Sequence, residues 1–211
     1  MAQRQEIANI EKKHQKEINF FNDALVRERT DVLNEHLREI AEKLKFKMQE
    51  RICVYRFLED RGEFDCIGRY SENQKYNQIP VRRVYPMNMG IIGHVWSKGK
   101  FNGFIRDNKI PNREDNEKIY FKYLKENYSI PNSISKNFRM NSVDIVAEII
   151  RDTKSKSIAI IIFESQQRNF INERKIKREY NKIKKTAIVN SLENLKIQNS
   201  PDIKTAKEAD L

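Results

Sequence analysis

Ser157-Ile158-Ala159-Ile160-Ile161-Ile162-Phe163-Glu164 is the stretch on which the fold of this chain turns. Its apolar core, residues 158–163, is far shorter than the roughly 20 residues of a membrane-spanning helix. Ile and Phe favour strands. A strand that does not alternate is covered on both faces, so this one belongs inside a sheet. Residues 142–150 upstream do alternate, and Lys154-Ser155-Lys156 supplies a polar turn between the two. Downstream, Phe170 opens a helix expected to run to about Gln198, with Ile176, Tyr180, Ile183 and Ala187 on one stripe. Beyond Ser200-Pro201 the tail is polar and reads as disordered.

A second hairpin lies nearer the N-terminus. Arg51 to Leu58 has strand composition, Glu59 to Glu63 is a turn around Gly62, and Phe64 to Tyr70 pairs back. Strict alternation puts Phe64, Cys66, Gly68 and Tyr70 on one face, and Asp65 and Arg69 on the other. Between the hairpins lies a turn-rich segment holding all six glycines and four of the five prolines of the chain within residues 62–131. A short strand is expected over 81–85, a glycine-bounded helix from Gly90 to Trp96, and a strand from Phe101 to Ile105. A helix follows from Asp115 to Tyr128, with Ile119, Tyr123 and Leu124 inward.

Residues 3–29 read as a helix with Ile7, Ile10, His14, Ile18, Phe21 and Leu25 on one stripe. From Thr30 the stripe shifts to Leu33, Leu37, Ile40 and Leu44, either as a phase break in one helix or as two helices meeting. The first stripe has little protein ahead of it, which points to a coiled-coil seam with a second copy.

The order helix, hairpin, irregular middle, hairpin, helix predicts an α+β fold. It has an antiparallel sheet with the N- and C-terminal helices on one face, plus a long N-terminal helical extension. The expected divisions are 1–30 as the extension, 31–198 as the domain and 199–211 as the tail.

The 211 residues carry 41 basic and 30 acidic side chains, for a formal charge of +11. Residues 1–50 are balanced, so the excess lies in the rest of the chain, most densely on the last helix. There is no apolar leader and no membrane-length run, so a cytoplasmic protein is expected. Cys53 and Cys66 are too few for a disulfide framework or a zinc site and read as reduced core thiols. Ile, Lys and Asn supply 27, 24 and 21 residues, a bias of AT-rich bacterial or phage genomes.

The strand Val54-Tyr55-Arg56-Phe57 after a helix, the run Gly90-Ile91-Ile92-Gly93 with Gly99, and Ile160 to Ser165 followed by Phe170 together resemble a GAF domain, the small-molecule sensor module related to PAS. The resemblance covers roughly residues 31–198. It implies a pocket on the sheet face away from the terminal helices, walled by the 70–140 segment, and dimerisation through those helices. It does not name a ligand or cofactor. No cysteine follows Cys66, which leaves out the bilin-attaching and methionine-sulfoxide-reducing patterns of the family, and Asn108-Lys109 lacks the continuation of its cyclic-nucleotide signature.

On that resemblance the expected ligand contacts are Tyr70, Tyr85, Ile92, His94, Trp96, Tyr120 and Arg139, with Arg69, Arg82 and Arg83 as further anion-clamping candidates. Arg139, between Phe138 and Met140, is expected to be partly buried. His94 and the aromatics also read as ordinary packing residues. No nucleophile elbow, P-loop, H-E-x-x-H or Cys/His pair is visible, so no enzyme and no metal site are expected. Glu148 and Glu164 are a carboxylate pair only if both leave solvent.

The expected function is a sensory or regulatory domain binding a small anionic or nucleotide-like ligand, forming a homodimer and signalling through its terminal helices to a partner protein. One alternative is an interaction protein with a closed pocket. Another is nucleic-acid binding through Arg174, Lys175, Lys177, Arg178, Lys182 and Lys185.

Overall fold

The computed structural model describes residues 2–78, 84–98, 103–183 and 187–198. The elements, in chain order, are α1 (Ala2–Leu44), β1 (Glu50–Leu58), β2 (Glu63–Tyr70), α2 (Gln74–Asn77), β3 (Val84–Pro86), α3 (Gly90–Lys98) and β4 (Ile105–Asp107). They continue with α4 (Glu117–Tyr128), α5 (Asn132–Ser135), β5 (Asp144–Arg151), β6 (Ser157–Ser165), α6 (Glu173–Ile183) and α7 (Val189–Gln198). The strands form one antiparallel sheet in the order β3-β2-β1-β6-β5-β4. The apolar run 158–163 lies in β6, paired on both sides and buried on both faces, as its composition requires.

Each face of the sheet carries its own core. On one face α1, α6 and α7 cover Ile52, Val54, Val146, Ile161 and Phe163. On the other, α3 and α4 cover Cys53, Tyr55, Phe64, Ile145, Ile160 and Ile162. The terminal helices therefore share one face, and the turn-rich middle of the chain builds the other. This is the predicted α+β arrangement.

α1 is one continuous helix, so the shift of stripe at Thr30 is a phase break and the division at residue 30 falls inside an element. Leu33, Leu37, Ile40 and Leu44 are buried against the sheet. Ile10, Ile18, Phe20 and Phe21 are exposed, the two phenylalanines at 70% and 65%.

Several boundaries differ from the sequence reading. Helix α4 starts at Glu117 because the Asn116 side chain accepts the Ile119 N–H at 3.1 Å and caps it. Its buried face is Tyr120, Phe121, Leu124 and Tyr128, while Ile119 is exposed, one position off the expected stripe. The closing helix begins at Glu173, where Asn172 accepts the Lys175 N–H at 3.0 Å, and it is described as α6 and α7. The strand near 101–105 is Ile105–Asp107 instead. Expectations that fall on residues 81–83, Gly99, Phe101, Lys184, Lys185 and 199–211 lie outside the described residues.

The largest departure is in β2. Val54 pairs with Gly68 and Tyr55 with Cys66, so Ile67 is an extra residue, a β-bulge. Ile67 and the position of Gly68 both face the terminal helices. After the bulge the alternation is inverted. Tyr70 packs on the helix side. Arg69 turns to the opposite face. No helix of the described residues is long and apolar enough to cross a membrane.

Candidate ligand cavity

Between the sheet and the layer of α3, α4 and α5 lies a cavity of about 520 Å³. Its floor is the cavity face of four strands, with Arg51 and Tyr55 from β1, Arg69 from β2, Ile145 from β5 and Ile162 and Glu164 from β6. Ile91 and Ile92 of α3 and Tyr120, Leu124 and Tyr128 of α4 close it from above. The loop after α5 adds Phe138, Arg139 and Met140 to the wall, and Gln78 and Tyr85 line it as well.

The local sequence explains how these walls are held. Gly90 opens α3 at φ 77°, a conformation that glycine adopts freely. A Cβ on Gly93 would stand 2.6 Å from the Met87 carbonyl oxygen, so only glycine lets the preceding turn lie against α3. Helix α4 ends with Ser129 in the left-handed region, its N–H donating to Lys125 O at 3.1 Å. The Asp107 carboxylate on β4 accepts from the Tyr123 hydroxyl at 2.9 Å and from the Tyr128 hydroxyl, which ties α4 to the sheet edge.

The charges in the floor are unevenly satisfied. Arg51 and Glu164 face each other across the β1–β6 register and form an ion pair at 2.6 Å, with the Ser142 hydroxyl donating to the second Glu164 oxygen at 3.0 Å. Arg69, only 7% exposed, has no carboxylate within ion-pair distance among the described residues. Its Nη1 donates to Gln78 O at 3.0 Å, its Nη2 approaches Cys66 Sγ at 3.9 Å, and its Nε is buried without a partner. Its main-chain N–H donates to Asn34 Oδ1 of α1 at 2.9 Å. One residue thus touches the cavity with its side chain and the N-terminal helix with its backbone.

Burial shapes the remaining titratable groups. It pushes the Tyr85 and Tyr120 phenols up to about 12. It also raises the Cys53 thiol and pushes Cys66 up to about 12, so neither is a thiolate near neutral pH.

Of the expected ligand contacts, Tyr85, Ile92, Tyr120 and Arg139 line this cavity. Arg139 is exposed, with Nη1 donating to Gln78 Oε1 at 2.9 Å, while its neighbour Met140 is the residue of this loop that is buried. Three others are placed elsewhere. Tyr70 is on the helix face because of the bulge. Trp96 lies tilted over Phe57 at 4.5 Å and meets Phe64 edge-on at 5.1 Å, and it does not line the cavity. His94 meets the Tyr128 ring edge-on at 5.4 Å, and burial with the nearby Lys98 lowers its pKa. Glu148 and Glu164 face opposite sides of the sheet and form no pair. Arg82 and Arg83 lie outside the described residues. Arg51 and Ser142 escaped the sequence reading, and Glu164 entered it only as a possible partner of Glu148; Arg51 and Glu164 are strand residues that read as solvent-facing until the cross-strand register is known.

On α6, Arg174, Lys177, Arg178 and Lys182 line one shallow groove. Arg178 and Lys182 pair with Glu179 at 2.6 and 3.8 Å, which offsets part of that stripe's charge. Among the described residues no cluster of His, Cys, Asp or Glu has the arrangement of a metal site.

No protein-family profile and no curated protein matches the sequence. Solved structures do match in shape. A methyl-accepting chemotaxis protein fragment, residues 122 to 287, superposes with a TM-score of 0.54 at 11% identity, covering 85% of this chain and 99% of that one. The type II free methionine-R-sulfoxide reductase of Thermoplasma acidophilum gives 0.52 at 9%, over 81% and 95%. The PixJ GAF domain of Thermosynechococcus elongatus gives 0.51 at 10%, over 82% and 90%. At such identities the likeness establishes architecture. The chain has the GAF fold.

Proposed function

We propose that this chain is a sensory or regulatory domain that binds a small anionic ligand in the cavity and passes the bound state to its terminal helices. Arg69 carries the reading. Its guanidinium is a buried charge in the cavity wall with no ion-pair partner among the described residues, and its main-chain N–H is held by Asn34 of α1. A ligand that neutralises the guanidinium shifts β2 next to its bulge, and the helix resting on that bulge follows. The chain acts by binding: its two thiols are buried and protonated, a poor starting point for thiol chemistry.

A second copy of the chain is the partner of the exposed stripe on α1. Ile10, Ile18 and Phe21 recur at the three-four spacing of a helix–helix seam, and the first 50 residues hold equal numbers of acidic and basic groups, so two copies do not repel. Native mass spectrometry tests both halves. The expected spectrum is a dimer that retains a small anion, lost on Arg69→Met. A bare wild-type chain whose spectrum is unchanged by Arg69→Met contradicts the ligand site, and a monomer contradicts the seam.

A further inference from the structure

We infer, on the sensory reading above, that the ligand is a single-headed organic acid, one carboxylate on a hydrocarbon body, and not a nucleotide. The charges of the cavity floor set the number of heads. Arg51 and Glu164 cancel one another within the wall, and Ser142 occupies the other Glu164 oxygen. Arg69 remains as the one buried cation in that floor without a counter-ion among the described residues. One buried charge asks for one anionic head.

That guanidinium is only partly satisfied. Nη1 is engaged by the Gln78 carbonyl at 3.0 Å. Nη2 has only the Cys66 sulfur at 3.9 Å, and Nε has no partner. Nε–H and Nη2–H lie along the edge of the guanidinium that takes two carboxylate oxygens side by side; here that edge is turned to the buried Cys66, so a carboxylate gains it by rotation of the guanidinium toward the cavity. An unpaired buried donor is costly, so a head that reaches this edge recovers the loss.

The rest of the wall specifies the body. Tyr55, Ile92, Ile110, Leu124, Ile145 and Ile162 line the same cavity as Arg69. At about 520 Å³ the cavity exceeds what a bare carboxylate fills and falls within the size range of small-molecule sites. Of the side chains able to read ribose hydroxyls or base edges, Gln78, Ser133, Asn137 and Arg139 are exposed, and the inner ones are the Tyr85 and Tyr120 phenols and Ser142, which already donates to Glu164. A nucleotide would set a dianionic phosphate beside the one buried guanidinium, Arg139 being exposed, and most of its sugar and base against isoleucine and leucine side chains.

Titration calorimetry of the full chain with phenylbutyrate, phenylbutanol and adenosine monophosphate tests this. Phenylbutyrate is expected to bind once per chain, about tenfold to a hundredfold tighter than the alcohol. Arg69→Met should erase that difference, and Arg69→Lys should keep part of it. The wild-type comparison of acid with alcohol needs no variant, so a folding defect cannot mask the result. Equal binding of acid and alcohol overturns the single-headed acid and leaves the cavity as a ligand site. Tighter binding of adenosine monophosphate, competed by phenylbutanol, does the same. Binding of none of the three at millimolar concentration removes the cavity reading as well.

Discussion

The main-chain N–H of Arg69 on β2 donates to Asn34 Oδ1 on α1 at 2.9 Å. The bulge at Ile67 takes this part of β2 out of simple register, and Asn34 supplies the Arg69 N–H with a partner from the helix layer. The same bulge turns the Arg69 side chain into the cavity. Site and helix are therefore linked through a single residue. Asn34→Leu should remove that link while leaving the cavity intact. Denaturant unfolding is expected to show a loss of about 1–2 kcal/mol, with phenylbutyrate affinity changed less than threefold. A loss of affinity as large as that of Arg69→Met would mean that Asn34 supports the site itself.

Close packing of α1 on the sheet occurs at Gly68, where an added Cβ would lie 2.8 Å from Leu33 Cδ2. Gly68→Ala should lower stability by about 1–3 kcal/mol through overpacking. Leu33→Ala is destabilising alone, since Leu33 is fully buried, yet in combination it should relieve part of the Gly68→Ala clash. Thermal melts of the two single variants and the double variant give the coupling. Strict additivity would show that the two positions do not meet.

Asp144 fixes the start of the closing helix. Its carboxylate is fully buried, pairs with Arg106 at 3.0 Å and accepts the Ile171 N–H at 2.9 Å. Asp144→Ala leaves that amide without its acceptor and should cost about 2 kcal/mol or more. Amide exchange at residues 171–176 should accelerate in this variant more than exchange in β1. A uniform acceleration throughout the chain would contradict a local anchoring role.

Alkaline pH probes the tie between α4 and the sheet edge. Burial first, and the Asp107 carboxylate second, push the Tyr123 phenol up to about 12 and raise Tyr128 further. A group whose folded pKa lies above its unfolded value stabilises fully below the unfolded value, near 10 for tyrosine. That stability is then lost as pH rises through the folded pKa. Stability should therefore hold steady up to about pH 10 and fall between pH 10 and 12. Asp107→Asn removes the anion that opposes phenol ionisation, so ultraviolet titration should find tyrosinate forming at lower pH in that variant.

The exposed stripe of α1 predicts the oligomer. Ile18→Glu together with Phe21→Glu places charges in the seam, and light scattering should show the mass fall from two chains to one with the circular dichroism of the sheet unchanged. A monomeric wild-type protein, or a dimer that survives both substitutions, places the contact elsewhere.

Periodicity in the sequence revealed the sheet and the terminal helices because their signals are local. Ile158 to Phe163 can hardly be anything but an interior strand, and Leu33, Leu37, Ile40 and Leu44 mark their buried face by spacing alone. The candidate site was only partly legible, for a reason that can be located. The extra residue Ile67 inverts the alternation of β2, and period-two reading then sends Tyr70 toward the cavity. It names Arg69 as an anion clamp but not as a residue bridging cavity and helix. Arg51 and Glu164 likewise gain meaning only from a cross-strand pairing of residues 113 positions apart. His94 and Trp96 sat on the right helix but on faces turned to Tyr128 and to Phe57 and Phe64.

Hydrogen–deuterium exchange with and without phenylbutyrate tests most directly whether the cavity speaks to the helices. Binding is expected to slow amide exchange in residues 63–70 of β2 and, together with it, in residues 33–44 of α1, with the second effect lost in Asn34→Leu. Slowing confined to the cavity side, with α1 unchanged in the wild-type chain, would contradict the proposed coupling.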